Sequence, residues 1–471
     1  MGTEKDIIVA VELGSAAIRA IAGRRELDGN MHVLAVTRKS DEYAIRRGVV
    51  DNINRTALTL QDVTHQLGER LNAQVAKVYV GLGGQSLHTV LNSIDYPMDQ
   101  KTIITEETIQ RIDDMNRAQQ YLDMDILQAE PQEYRIDSRG GVTTPVGMEA
   151  KNIRATFLNI LADVRLRNNI ESSVDNAGLR LAEDDILISP LALGHYLLTE
   201  QERKSGCALV DIGAATTTVI VYSRNTLRHL VVIPLGGDNA TADIVRYGAQ
   251  IEDAENLKLK YGTAYCQEPR EDEMSDGEML NLSYDRSVSK HQLKEIVEAR
   301  YQEIIANVWE HVRPFCDNQF ASIIFTGGGS RLPDVADAFV KYTKTSKLVR
   351  VHKGLPAGVV LEPGCGVDDS ECQDTLYSLL LSGKESCVIE KPRPVQQSEL
   401  FSEEEDGTLE GGNVSAIPEN REPEVAEGEP VKDGERPRKK KSGAGLGSKF
   451  RRALGVFKGM LEEESDGTDE A

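Results

Sequence analysis

The 471-residue chain predicts an α/β protein of several domains, and three observations carry that reading. Strand-like and helix-like segments alternate through residues 1–385. A ten-residue device, VAVELGSAAI at 9–18, returns as ALVDIGAATT at 208–217. The alternation stops after about residue 392, where Glu, Gly, Pro and Ser take over. A chain this long also exceeds one ordinary hydrophobic core.

Each element follows from local pattern. Residues 7–22 form an apolar, β-prone hairpin interrupted by small residues, 56–71 carry helical periodicity, and Lys77–Leu82 reads as a strand. Residues 85–165 are more polar, rich in Asp, Gln and Thr, and read as a small inserted α+β domain. Strand and helix resume over 179–199. The second device opens at Cys207, and a strand over 230–235 precedes a helix starting near Asn239. Further helices are expected at 243–261 and 291–312, separated by an acidic, loop-like stretch at 268–277. A buried strand at 323–326 ends in Gly327-Gly328-Gly329-Ser330, and 374–381 reads as a last short helix.

The paired devices carry the chemistry. Each is a strand, a turn stripped of bulk and a return strand, with an acidic residue beside a glycine: Glu12 with Gly14 and Ser15, then Asp211 with Gly213, Thr216 and Thr217. A bare turn lets backbone N–H groups approach an anion, and the adjacent acid can hold a hydrated cation. Gly236 and Gly237 stand at a strand-to-helix junction where helix N–H groups could meet phosphates. The Gly327 cluster lets backbone pass close to a flat ligand. Any one cluster is ambiguous with an ordinary turn; four in this order are not.

These stretches resemble the actin/Hsp70-type ATPase superfamily and, within it, the FtsA family of bacterial cell-division proteins. The telling segments are GGDNATADI at 236–244, AENLKLKYG at 254–262, LKEIVEAR at 293–300 and IFTGGGS at 324–330. The resemblance spans roughly 6–385 and implies an actin-like two-lobed fold of duplicated ribonuclease-H-like domains, with ATP and Mg²⁺ between the lobes. It implies a first lobe of 1–84, 166–204 and 366–387, and a self-association insert at 85–165. It places the second-lobe core at 205–240 with 318–365, and a small subdomain at 241–317 that receives FtsZ. Gly14, Ser15, Asp211, Gly213, Thr216 and Thr217 then belong to the phosphate hairpins, with Asp211 and (through water) Glu12 toward the metal. Gly236, Gly237, Glu255 and Lys258 become ribose, phosphate and base contacts, while Gly327, Gly328 and Ser330 line the adenosine. Partners implied are FtsZ, further copies of the chain and later division proteins, at the cytoplasmic face of the membrane at the septum. Other members of the superfamily (a pilus-assembly adaptor, a chaperone-like or sugar-kinase-like enzyme) are the alternative.

Three departures from the pattern bear on turnover. Glu12 replaces the usual Asp, Ala214 and Ala215 replace glycines, and Ser189 stands where an acid or amide often orients water. Binding tolerates small shifts, whereas catalysis needs placement within a fraction of an ångström. The expectation is ATP binding with slow or absent hydrolysis.

The C-terminus predicts a membrane contact. At 100° per residue Leu446, Phe450, Ala453, Leu454, Phe457, Met460 and Leu461 share one face, flanked by Lys449, Arg451, Arg452 and Lys458. Such a basic amphipathic helix, over 446–463, suits an anionic lipid interface. The basic run 436–441 adds attraction. The acidic linker 388–445 has the composition of a disordered tether reaching ~40 Å.

Composition excludes other classes. The net charge of −22 opposes general nucleic-acid binding. The six cysteines show no metal-ligand spacing, and the N-terminus leads into a strand without a secretory signal. No apolar run approaches the ~20 residues that span a bilayer. The eight histidines are scattered singly, and Trp309 falls in an apolar helical pattern that reads as packing.

Overall fold

The structure, a computed structural model, describes residues 6–266, 279–283, 286–367 and 372–390. The expected loop at 268–277, all but the first three residues of the linker expected at 388–445, and the helix 446–463 with Lys449, Phe450, Arg451, Arg452, Leu454, Phe457, Lys458 and Leu461 lie outside the described residues. The linker's expected start is corrected, since Val388–Glu390 is a strand paired with Ala73–Val75.

Two sheets repeat one plan. In the first, Ile7–Leu13, Ile18–Arg25 and Met31–Lys39 run antiparallel, and Lys77–Leu82 joins the outer side of Ile7–Leu13 in parallel. In the second, Cys207–Ile212, Thr217–Ser223 and Thr226–Ile233 run antiparallel, with Ser322–Thr326 parallel to Cys207–Ile212 and Leu348–Val351 parallel beyond it. The central strands are apolar in almost every position because helices cover both faces, so period-two alternation is lost. Two large apolar cores result: one around Val9, Val11, Leu60 and Leu379, the other around Val210, Tyr301, Phe325 and Phe339.

Most elements fall where the sequence places them. Helix Ile53–Leu71 begins three residues earlier than expected because Asn52 caps it, its side chain accepting from the Arg55 N–H. Lys290–Val312 and Asp374–Ser382 match within a residue, and Trp309 packs edge-on against Phe339. The expected helix 243–261 is two, Gly237–Tyr247 and Ile251–Tyr261, divided where Gly248 adopts φ 117°. The return to the first lobe comes earlier than residue 366, since Val359–Leu361 already pairs with Met31–Lys39.

The insert departs in its attachment. His88–Ile103, Met124–Ile136 and Glu149–Asp163 form an antiparallel sheet with helix Glu106–Arg117 and a core of Ile112, Ile153 and Phe157. The chain enters it from the first-lobe strand Lys77–Leu82, yet its sheet continues into the second lobe, with His88 opposite Val231. Thr89 Oγ1 donates to Leu230 O and accepts from Leu230 N–H, and Val232 N–H donates to Leu87 O. Beside this seam the histidines are not all solitary. His229 and His311 stack with ring nitrogens 3.1 Å apart, and burial, followed by His311, pushes His229 down to about 4.

A buried ion pair fixes the wall of the second lobe. Asp243, 3 % exposed, receives a two-pronged bond from Arg300 at 2.7 and 3.0 Å, tying helix Gly237–Tyr247 to Lys290–Val312. Asp243→Ala leaves Arg300 with its main anion gone from a largely buried site. It should cost about 3 kcal/mol or more, read as a lowered urea midpoint at unchanged m-value.

Candidate functional site

A cleft of about 700 Å³ opens where the two hairpin turns face each other, a volume suited to a small organic ligand. Each turn is shaped by its glycine. A Cβ on Gly14 would lie 2.8 Å from Ala17 O, and one on Gly213 would lie 3.2 Å from Thr216 O. Neither Ala214 nor Ala215 adopts positive φ, so the alanines that replace glycine are accommodated without backbone strain. Ser15 Oγ accepts from the Gly48 N–H at 3.0 Å and holds the neighbouring loop against the first turn.

The two acids sit in unlike surroundings although their register is the same. Glu12 lies opposite Arg19 across its hairpin, with the guanidinium 3.6 Å away, whereas Asp211 lies opposite Thr218. Burial raises the Glu12 carboxyl, and Arg19 offsets this in part. Burial also raises Asp211, and repulsion from Glu12 and Asp374 adds to it, bringing the group to about 7. Asp374 is the third acid. Burial pushes it up, but hydrogen bonds from His352 and Thr326 (Oγ1 at 2.5 Å) outweigh that and leave it below the usual range. A carboxylate so placed is relieved by a cation. Among the described residues no cluster of three or more His, Cys, Asp or Glu is gathered to cage a metal. The Asp211 carboxylate offers oxygen donors, the kind a hard cation takes while keeping several waters in its shell.

Of the residues singled out in the sequence, Glu12, Gly14, Ser15, Asp211, Gly213, Thr216, Gly237, Glu255, Lys258, Gly327 and Gly328 line this cleft. Thr217 does not; it is fully buried and its hydroxyl donates to Leu235 O. Ser330 is buried and donates to Gly327 O. Gly236 backs the second turn, where a Cβ would fall 2.5 Å from Ala214 O. Gly327, at φ 86°, allows an even closer crossing, since any side chain there would run into Asp211 and Ile212.

The expectation that the first N–H groups of the helix after Gly236 meet phosphates is corrected. Gly237 N–H donates to Gly213 O at 3.0 Å and Asp238 N–H to Ala214 O at 2.7 Å, so both are already used in fastening the helix to the turn. Sequence reasoning also missed Arg19, Arg38, Thr218, Asp238, Thr241, Tyr301 and Asp374 on the cleft wall. Only Arg19 and Thr218 were within reach, because hairpin pairing puts them opposite the two acids. Tyr301 comes from a distant helix to donate to Gly329 O, and nothing local announces it.

Two lobes of one strand plan, with a glycine-walled cleft where their hairpins meet, define an actin-like protein. The likeness extends to a solved structure titled PilM-PilN type IV pilus biogenesis complex, with a TM-score of 0.55 at 14% identity, covering 79% of this chain and 97% of that one. The model of Cell division protein FtsA matches residues 208–367, and that of the SHS2 domain inserted in FTSA matches 84–161. Cell division protein FtsA of Pseudomonas aeruginosa is 29% identical over 330 residues, 69% of this chain and 78% of that protein. The Escherichia coli protein of that name is 27% identical over 399 residues, 82% of this chain and 92% of its own. The chain belongs to the FtsA family of cell-division proteins.

The cleft acids set a pH dependence. A carboxyl whose folded value lies above its unfolded one stabilises the fold at low pH and loses that contribution as pH rises through the folded value. For Asp211, moving from 3.8 to about 7, the ligand-free protein should lose up to about 4 kcal/mol between pH 4 and 8. Asp374 works in the opposite sense, so the comparison of variants isolates the effect. Urea unfolding of Asp211→Asn at pH 4, 6 and 8 should show a flatter profile and a more stable protein at pH 8.

Proposed function

We propose that the protein binds ATP with Mg²⁺ in the interlobe cleft, polymerises in that state, and anchors FtsZ filaments to the cytoplasmic membrane during septum formation. Asp211 is the observation that carries the reading: a half-buried carboxylate, repelled by two further acids, at the point where both glycine turns converge. Bound Mg²⁺ would supply charge neutralisation between Asp211 and the phosphates. The two turns present backbone to the phosphates, and Leu259, Leu332 and Pro333 give the base an apolar wall.

Hydrolysis is slow or absent in this reading. Ser189 begins helix Ser189–Leu197 on the cleft wall, and its hydroxyl is no base near neutral pH. Glu12 is tied to Arg19.

Membrane attachment rests on the sequence of 446–461, whose apolar face carries two phenylalanines beside four cations. Within the described residues no helix is long and apolar enough to cross a membrane. FtsZ is assigned to the subdomain 241–317 and self-assembly to the insert, with later division proteins as further partners.

Titration calorimetry with ATP and Mg²⁺ tests the cleft directly; no heat of binding from the full chain would overturn the reading. Deleting 446–471 should abolish pelleting with anionic liposomes while ATP affinity stays within twofold. Continued pelleting of the truncated chain would refute the tether.

A further inference from the structure

The seam between the insert and the second lobe is narrow. It is held by the pairing of His88 with Val231, by the Val232 N–H on Leu87 O, and by the Thr89 hydroxyl on both polar atoms of Leu230. Arg228 adds a bond to Gln132 Oε1 of the insert at 2.9 Å. His229 lies against this seam with both ring nitrogens engaged. Its Nδ1 is 3.3 Å from Thr89 Oγ1, and its Nε2 is 3.1 Å from His311 Nδ1 on helix Lys290–Val312. Phe315 covers the ring, with 5.6 Å between centroids.

The partners fix the protons. A hydroxyl has one hydrogen to give, and Thr89 gives it to the carbonyl of the buried Leu230. Thr89 Oγ1 therefore accepts from His229 Nδ1–H. A neutral ring carries one such hydrogen, so His229 Nε2 is bare and accepts from His311 Nδ1–H. This arrangement tolerates one extra proton, on Nε2 of His311. A proton on His229 Nε2 would instead meet the N–H of His311 head-on. The surrounding charges do not relieve it: His88, on the insert, adds repulsion, and Glu310, beside His311, is shared with Arg313 at 3.5 Å. Helix Lys290–Val312 is rooted in the second core through Leu293, Val297, Tyr301, Ile305 and Val308, so the insert is the side that yields.

We propose that the His229–His311 pair is a proton-sensitive latch, which holds the insert against the second lobe while His229 Nε2 is bare and lets the seam open once that nitrogen is protonated. The sign follows from linkage. In the closed seam His229 is pushed from 6.5 down to about 4, by burial first and then by His311 and His88. In the open seam water reaches the ring and it regains its ordinary value. The closed form is undisturbed above 6.5 and loses about tenfold in its favour for each pH unit below that, until about 4.

The test is hydrogen–deuterium exchange of the full chain at pH 7.5, 6.5 and 5.5, with rates corrected for intrinsic exchange. Protection of the N–H groups in 229–233 should fall tenfold or more from pH 7.5 to 5.5, while protection within 293–308 changes less than twofold. Asp211 raises global stability over the same interval, so a loosening confined to the seam stands apart from it. His229→Gln, whose amide can give to Thr89 and accept from His311 but takes no proton, should keep the seam protected and cut the response below twofold. His311→Gln keeps a donor toward His229 without a second ring charge and should respond less than the wild type; it decides alone if His229→Gln does not fold. A wild-type response under twofold, an equal response in either variant, or equal loss of protection over 293–308 overturns the proposal.

Discussion

The whole cleft is organised around one unneutralised charge. Asp211 sits near the end of a strand, beneath a glycine that has to be bare for the chain to pass. Its twin in the first lobe has an arginine opposite; Asp211 has a threonine. The two hairpins share one plan, and the difference at a single register position gives one acid an internal counter-charge and leaves the other without one. A buried carboxylate without a counter-charge is costly. The fold accepts that cost at the point where both glycine turns converge, the place proposed for a cation and its anionic ligand.

Backbone geometry was the legible part of this molecule. Both hairpins, the strand before Gly327 and the helices 290–312 and 374–382 could be read because glycine, β-branched runs and helical periodicity are local signals. The break at Gly248 was misread because the apolar pattern continues across it, and the early return at Val359 because a three-residue strand has too little periodicity to register. The cleft was half legible. Residues that form its turns announce themselves through spacing. Side chains delivered from afar, such as Tyr301 and Asp374, do not. Thr217 and Lys258 show a further limit, since both are where the motif puts them yet have their polar atoms committed internally.

Hydrogen bonding also explains why the second turn and the helix after it act as one piece. Gly237 and Asp238 give their N–H groups to the turn, and Lys258 binds the Gly237 carbonyl from the next helix. Asp243 then locks the same helix to Arg300. The rigidity of the ligand wall is thus set by polar contacts on its far side.

The seam at His88 and Val231 has a mechanical consequence. The insert leaves from one lobe and is stitched to the other by main-chain pairing and the Thr89 hydroxyl, through the strand that runs on to Gly236. Such a module behaves as a crank: it cannot stay fixed to both bodies when the angle between them changes. A change in the angle between the lobes must either swing it through space or tear its stitches, so the orientation of a surface far from the cleft is geared to that angle.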